Sequence, residues 1–184
     1  KRAIDAVVRE KREWIRAAQK KAALRKTAPV IPFELGDTLF YFGKAYATAV
    51  AAVTEITVEG DRILFPSGST RRDALQWIAA RTARYINDKL PALARQIGAR
   101  YTSVALSSAR TRWGTCSGTD ALRFNRRLAM CPAPVFDYIL IHELCHIEHK
   151  NHSPAFWAKV EKYDPNRKAA RVWLREHNYF MQKY

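Results

Sequence analysis

The sequence predicts an α+β domain: a buried helix packs on a small antiparallel or mixed sheet, preceded by a long basic helix and a β-meander. Three observations predict it. Helical periodicity, short β-branched runs and helical periodicity again follow one another along the 184 residues. Segment 135–149 is apolar on most sides, which marks a central helix. Apolar residues make up 48% of the chain and charged residues 27%, a composition that can bury a core.

Taken in order, Ile4, Val7, Val8, Ile15, Ala18 and Ala22 recur at helical spacing. They predict a helix from about Ala3 to Lys26 with a basic outer face: Arg9, Lys11, Arg12, Arg16, Lys20 and Lys21. Thr38–Phe42, Ala45–Val50, Val53–Val58 and Ile63–Phe65 then read as strands of an antiparallel meander. Thr70 and Asp73 can form a capping box, and a helix follows to Gly98, with Pro91 expected to kink or divide it. Val104 and Leu106 mark a strand; residues 112–118 read as a loop; Leu122 and Phe124 mark the next strand. Pro132 and Pro134 open the apolar helix. Ser153-Pro154 and Asp164-Pro165 each carry an N-cap signature, the second for a last helix with Val172 and Trp173. The reading divides at about residue 70: 1–70 as the N-terminal helix plus meander and 71–184 as the catalytic part, or both as one compact unit.

Several classes are excluded. No apolar run approaches the ~18 residues of a membrane span, so no membrane is expected as partner. The start, Lys1-Arg2-Ala3-Ile4-Asp5, has no apolar run like that of a secretory signal, and the missing Met points to a trimmed start. Cys116, Cys131 and Cys145 are odd in number and irregular in spacing, which suits a reducing, cytoplasmic compartment better than a disulfide scaffold. With 32 basic residues against 17 acidic ones, the net charge is +15. Such a charge draws polyanions, so nucleic acid or nucleotides enter as partners through a basic surface.

The chemistry centres on His142-Glu143-Leu144-Cys145-His146, an H-E-x-x-H pattern. Residues i and i+4 share a helix face one turn apart. Two imidazoles there can converge on one Zn²⁺ at ~2.0–2.1 Å, with Glu143 beside the ion as general base. A catalytic zinc takes a third protein ligand and keeps one position open. Three residues compete for that place. His152, six residues after His146, has the spacing of the longer metzincin pattern, although His149 stands where that pattern has Gly. The chain would turn at Lys150-Asn151, Asn tolerating a left-handed conformation. His149 is about 10.5 Å of helical rise from His142, too far along one straight helix for a third ligand. Glu161 is the carboxylate alternative. His152 is preferred.

Arg112-Trp113-Gly114-Thr115-Cys116-Ser117, Phe124-Asn125-Arg126-Arg127-Leu128, Asp137-Tyr138 leading into the histidine motif, Asn151-His152-Ser153 and Phe156-Trp157 form an ordered set. The set resembles the YgjP-like metallopeptidase-domain family, related to the SprT-like zinc proteases, over about residues 72–177. The resemblance implies a zincin-like fold, His142, His146 and His152 as metal ligands, and Glu143 as base. Two departures stand out: the chain begins at the long helix that a β-rich segment commonly precedes, and Thr115 replaces a common Ser. The expected activity is zinc-dependent hydrolysis of a peptide or protein. The alternatives are a nucleotide (UTP-type) pyrophosphatase at the same metal, a protease recruited by DNA, and a non-enzymatic nucleic-acid module.

Arg112, Tyr138, His149 and Tyr163 are candidates to stabilise an oxyanion, and His149 reads also as a group behind the metal or on the substrate side. Trp113 reads as a core residue or as a wall beside the site. Strand Val104–Leu106 or Leu122–Asn125 is expected to offer its edge to an extended peptide. Asn125 reads as a turn residue or a partner of the ligands, Cys145 as a buried thiol facing away from the metal, and His177 as a capping or surface group.

Overall fold

The computed structural model describes residues 34–184; the helix expected over Ala3–Lys26 lies outside them. The described elements are β1 (Thr38–Tyr41), β2 (Lys44–Ala51), β3 (Thr57–Glu59), β4 (Arg62–Pro66), α1 (Arg71–Ile97), β5 (Ser103–Ser107), β6 (Gly114–Cys116), β7 (Ala121–Asn125), a 3-10 turn (Leu128–Met130), α2 (Ala133–Glu148), α3 (Pro154–Tyr163), α4 (Arg167–Glu176) and α5 (Phe180–Lys183). The fold is α+β with two small mixed sheets.

The first sheet runs β1-β2-β4-β3, and this corrects the expected meander. β2 pairs with β4 in parallel, Thr48 opposite Ile63 and Val50 opposite Phe65, instead of with β3 antiparallel. Burial explains the order. Ile63 and Phe65 are fully buried, so β4 takes an inner place, while Val58 and Glu59 of β3 are exposed and suit an edge. β1 and β2 meet at Phe42-Gly43, both at positive φ (45° and 79°), as a two-residue hairpin turn requires. The turn docks on the 3-10 segment: Phe42 N–H donates to Ala129 O at 2.7 Å and Gly43 N–H to Met130 O at 3.1 Å. A Cβ on Gly43 would lie 2.6 Å from Pro132 Cγ, so this contact needs glycine.

α1 opens with Asp73 Oδ2 accepting from the Thr70 amide (2.8 Å) and hydroxyl (2.7 Å). These bonds hold the Asp73 carboxyl below its ordinary pKa. Ile78, Thr82, Ile86, Leu90, Ala94 and Ile97 recur every three or four residues along its buried face. Pro91 does not divide the helix, which is continuous to Ile97 and stops at Gly98 in the left-handed conformation (φ 75°). Thr82 ties α1 to the turn after β7: its hydroxyl donates to Arg126 O at 2.9 Å and accepts the Ala129 amide at 3.0 Å.

The second sheet runs β5-β7-β6, parallel between β5 and β7 and antiparallel between β6 and β7. β7 is central because Leu122 and Phe124 are fully buried. The segment expected to be a loop therefore contains an edge strand, β6. α2 touches α1, α3, α4 and β6. Both sheets and every described helix contribute to one buried cluster. α4 begins at Arg167, two residues after the proline expected to open it, because Asp164 still caps the end of α3. The cysteines are free thiols, and no described helix is long and apolar enough to cross a membrane.

Thr82→Val keeps the shape and removes both hydroxyl bonds inside a buried contact. It should destabilise the fold by roughly 2 kcal/mol, read as a lower urea midpoint at unchanged slope.

Candidate metal centre

α2 carries His142 and His146 on one face, one turn apart. After the helix ends at His149, the chain turns without a left-handed residue; Asn151 acts instead through its side chain, whose Oδ1 accepts the Ser153 amide at 3.3 Å. Ser153 then caps α3, accepting the Phe156 amide at 3.4 Å. This turn swings His152 back over α2. One ligand-capable atom from each of His142, His146 and His152 lies within 4.8 Å of the others. His142 Nε2 and His152 Nε2 are 3.2 Å apart.

The first turn of α3 packs these rings. Phe156 stacks on His146 (centroids 4.4 Å apart) and Trp157 on His152 (5.3 Å). The far nitrogens are also held. Tyr138 OH meets His142 Nδ1 at 3.3 Å, and His146 Nδ1 lies 2.8 Å from the carbonyl oxygen of His149. A carbonyl only accepts, so Nδ1 of His146 carries its proton and Nε2 has the free lone pair. Burial, helped by the neighbouring imidazoles, pushes His142 down to about 3, and burial also lowers His146. Both are neutral near pH 7 and fit to bind a cation.

The donor set fits a metal ion. Two bonds of ~2.0–2.1 Å at a tetrahedral angle place their nitrogens ~3.3 Å apart, close to the observed separation. Without an ion one ring can donate an Nε2–H to the other across this distance; with both lone pairs free, a cation between them would offset their repulsion.

Glu143 is 4% exposed, and burial pushes its carboxyl up to about 8. It lies against the first residue of β6: a Cβ on Gly114 would sit 2.6 Å from Glu143 Oε1. Two cavities flank the carboxyl. One, of about 280 Å³, is bounded by Arg112, Trp113, Tyr138, Ile139, Arg171 and Leu174 besides His142, Glu143 and Gly114. The other, of about 270 Å³, is bounded by Arg112, Gly114, Thr115, Cys116, Lys150, Glu143 and the three histidines.

Other expected residues fall as follows. Arg112 borders both cavities, and Trp113 is buried yet forms a wall of the first. His149 turns its ring to Glu148 (3.2 Å) and contributes only its carbonyl to the centre. Glu161 is paired with Arg167 at 2.6 Å and is outside the three-histidine group. Tyr163 borders neither cavity, and His177 stacks on Trp173. Cys145 is fully buried. The strand beside Glu143 is neither of the two expected: β7 is central, β5 is the opposite edge, and β6 bounds both cavities.

Two supports hold the strand beside Glu143, Asn125 from the motif set and Lys150. Asn125 is fully buried; its Nδ2 donates to Ala109 O (2.7 Å) and Arg112 O (3.0 Å) and so holds the loop bearing Arg112. Lys150 donates to Asp120 and to Ser117 O (3.1 Å), fastening the β6–β7 hairpin to the end of α2. Buried Asn is a readable signal; the Lys150–Asp120 pair spans thirty residues and left none.

The family model described as "YgjP-like, metallopeptidase domain" matches residues 1–177, more of the chain than the motifs alone mark out. No curated protein matches. Among solved structures, the crystal structure of the metallopeptidase zymogen of Pyrococcus abyssi abylysin is similar, with 22% identity and a TM-score of 0.45 over 53% of this chain and 96% of that one.

Gly114→Ala should drive the new methyl into the Glu143 carboxylate and cost about 1–3 kcal/mol in a thermal or urea melt. A second outcome concerns protein stripped of divalent ions by a chelator. There Glu143 loses its proton at about 8 in the fold but near its ordinary 4.5 in the unfolded chain. The fold holds the extra proton between those values, so the contribution of Glu143 to stability falls as pH rises from about 4.5 to about 8, while the lowered His142 and His146 act in the opposite direction below about 6.5 and cancel in a comparison with Glu143→Gln. Urea melts should show Glu143→Gln gaining on the wild type across that window and levelling off above it.

Proposed function

The chain belongs to the YgjP-like metallopeptidase family, and from that premise we propose that it is a zinc-dependent peptidase with Glu143 as general base. One observation carries the reading: three imidazole nitrogens gather within 4.8 Å, two of them from the helix that also holds a buried carboxyl against a sheet edge and the third from the turn after it. His142, His146 and His152 would hold the ion, and an all-nitrogen set favours zinc or a similar transition ion over magnesium. When bound, the ion supplies Lewis acidity toward the scissile carbonyl and lowers the pKa of water toward ~7.

The protein groups do the rest. Glu143 takes the proton of the attacking water on a carboxylate oxygen and later hands it to the leaving amine. Its high pKa without an ion suits a group that must hold a proton between those steps. Tyr138 and the His149 carbonyl fix the ring nitrogens that face away from the cluster, which sets the direction of the lone pairs. Tyr138 thereby serves the ligands more than an oxyanion; Arg112, on the rim of both cavities, is better placed to meet substrate oxygen. β6 is an edge strand, and an extended peptide can pair with its open side, bringing a carbonyl toward Glu143. Free thiols at Cys116, Cys131 and Cys145 agree with a reducing compartment such as the cytoplasm.

Glu143→Gln should lower kcat/KM on peptides by ~10²–10⁴-fold while the purified protein keeps its zinc, measured by metal analysis. Full activity at equal zinc content would remove Glu143 from the base role. His152→Ala should lower the zinc bound per chain and its affinity in a chelator competition; unchanged affinity would move the third ligand elsewhere. Nucleoside triphosphates run in parallel decide between the two hydrolytic activities: turnover of UTP without peptide cleavage would replace the peptidase reading by the pyrophosphatase one.

A further inference from the structure

We propose that the cavity between α2, α4 and the Arg112 loop is a subsite for a substrate carboxylate, so that the preferred peptides carry an acidic group close to the scissile bond. The inference rests on the peptidase reading and names its substrate class.

This cavity of about 280 Å³ adjoins Glu143 and His142. Its walls are apolar: Trp113, Ile139 and Leu174 are each more than nine-tenths buried. Its free charges are two guanidiniums, Arg112 and Arg171. Neither pairs with a carboxylate among the described residues, whereas neighbouring cations do: Arg167, one turn earlier on α4, is clamped by Glu161, and Lys150 by Asp120. Arg171 lies over the Trp157 ring, 4.6 Å from its centroid. Stacking of this kind holds the plane of the guanidinium and leaves its in-plane N–H donors free. The one acid bordering the cavity is Glu143, which is buried against Gly114.

A cavity that combines apolar walls with two guanidiniums, neither paired with a carboxylate among the described residues, matches a group with a short hydrocarbon stem and an anionic tip. A glutamate side chain has that shape, and its carboxylate can accept two parallel N–H bonds from a guanidinium. A free peptide C-terminus presents the same carboxylate without the stem. A lysine side chain would meet two like charges, and a glutamine would offer one acceptor and no charge.

The test uses matched peptides with Glu, Gln or Lys at each position flanking the cleaved bond, with free or amidated C-termini. Zinc-loaded wild-type protein should give kcat/KM about tenfold or more higher for the acidic peptide than for its amide, with the Lys peptide lowest. The advantage should shrink when ionic strength rises from about 0.05 to 0.5 M. In Arg171→Gln the Glu-to-Gln ratio should fall to within about twofold of one; in Arg171→Glu it should reverse toward Lys; Arg171→Lys should keep part of it. A Glu-over-Gln advantage that persists with amidated C-termini assigns the subsite to an internal Glu or Asp; a ratio near one together with a loss of about tenfold or more on amidation assigns it to the chain end. A Glu-to-Gln ratio near one with no effect of amidation in the wild type, or an unchanged preference in Arg171→Glu, overturns the inference. Binding is measured separately, by anisotropy of labelled peptides on the Glu143→Gln variant, and should rank the peptides in the same order. If no peptide is hydrolysed, the peptidase reading falls, while the binding order still decides whether the cavity takes a carboxylate.

Discussion

A carboxyl group without water is the constraint on which this domain is arranged. Glu143 lies on the most apolar helix and is 4% exposed. Charge there is costly unless something compensates for it. No cationic partner among the described residues is in contact with it: burial accounts for its raised pKa. Instead, the imidazoles of His142 and His146 stand beside it, kept neutral by the same lack of solvent. Such an arrangement is poor as a structural ion pair. It would become favourable with a cation held by His142, His146 and His152, whose positive charge would offset the buried carboxylate.

The scaffold can be read outward from that requirement. Glu143 needs a neighbour with no Cβ, and Gly114 provides it, so β6 must pass this point of α2. β6 is only three residues long and sits on a sheet edge, too little to hold its own position. It is fastened from both ends. Asn125 binds the loop before it through Ala109 O and Arg112 O, and Lys150 binds the hairpin after it through Asp120 and Ser117. Thr82 connects the same β7 turn to the long helix α1. The first sheet joins through the Phe42-Gly43 turn, whose amides cap carbonyls of the 3-10 segment just before α2. Precision at one carboxyl is thus spread over hydrogen bonds from four separate parts of the chain.

What was legible in the sequence depended on how local its cause was. The capping box at Thr70, the Gly98 stop and the Ser153 cap arise from neighbours a few residues apart, and each is where its residues imply. The helical face of His142 and His146 follows from one period. The strand order of the first sheet was not legible, because alternation tells which residues are buried and does not tell which strand lies beside which. The more apolar β4 took the inner place and left β3 outside. β6 was misread for the opposite reason: Gly, Thr and Cys have little strand character, and their conformation comes from Asn125, Lys150 and the need to pass Glu143. The turn after α2 likewise uses the side chain of Asn151 where its backbone was expected to do the work.

Positive charge around the centre does not choose a substrate alone, since phosphates and carboxylates answer the same field. The surroundings of that charge are more selective. Lys150, which borders the cavity of the three histidines, is already paired with Asp120. Arg112 and Arg171, which pair with no carboxylate among the described residues, border the cavity walled by Trp113, Ile139 and Leu174. Apolar wall is of no use to a phosphate, whose hydration it would strip without return. It does favour a side chain that carries methylenes to its charge. The same chain, if extended, can lay its backbone along β6 while that side chain enters the cavity. One substrate can then use the edge, the apolar wall and the guanidiniums at once, whereas a nucleotide has no peptide backbone to pair with the edge. This difference in how many features are engaged together, more than the charge of the molecule, favours a peptide.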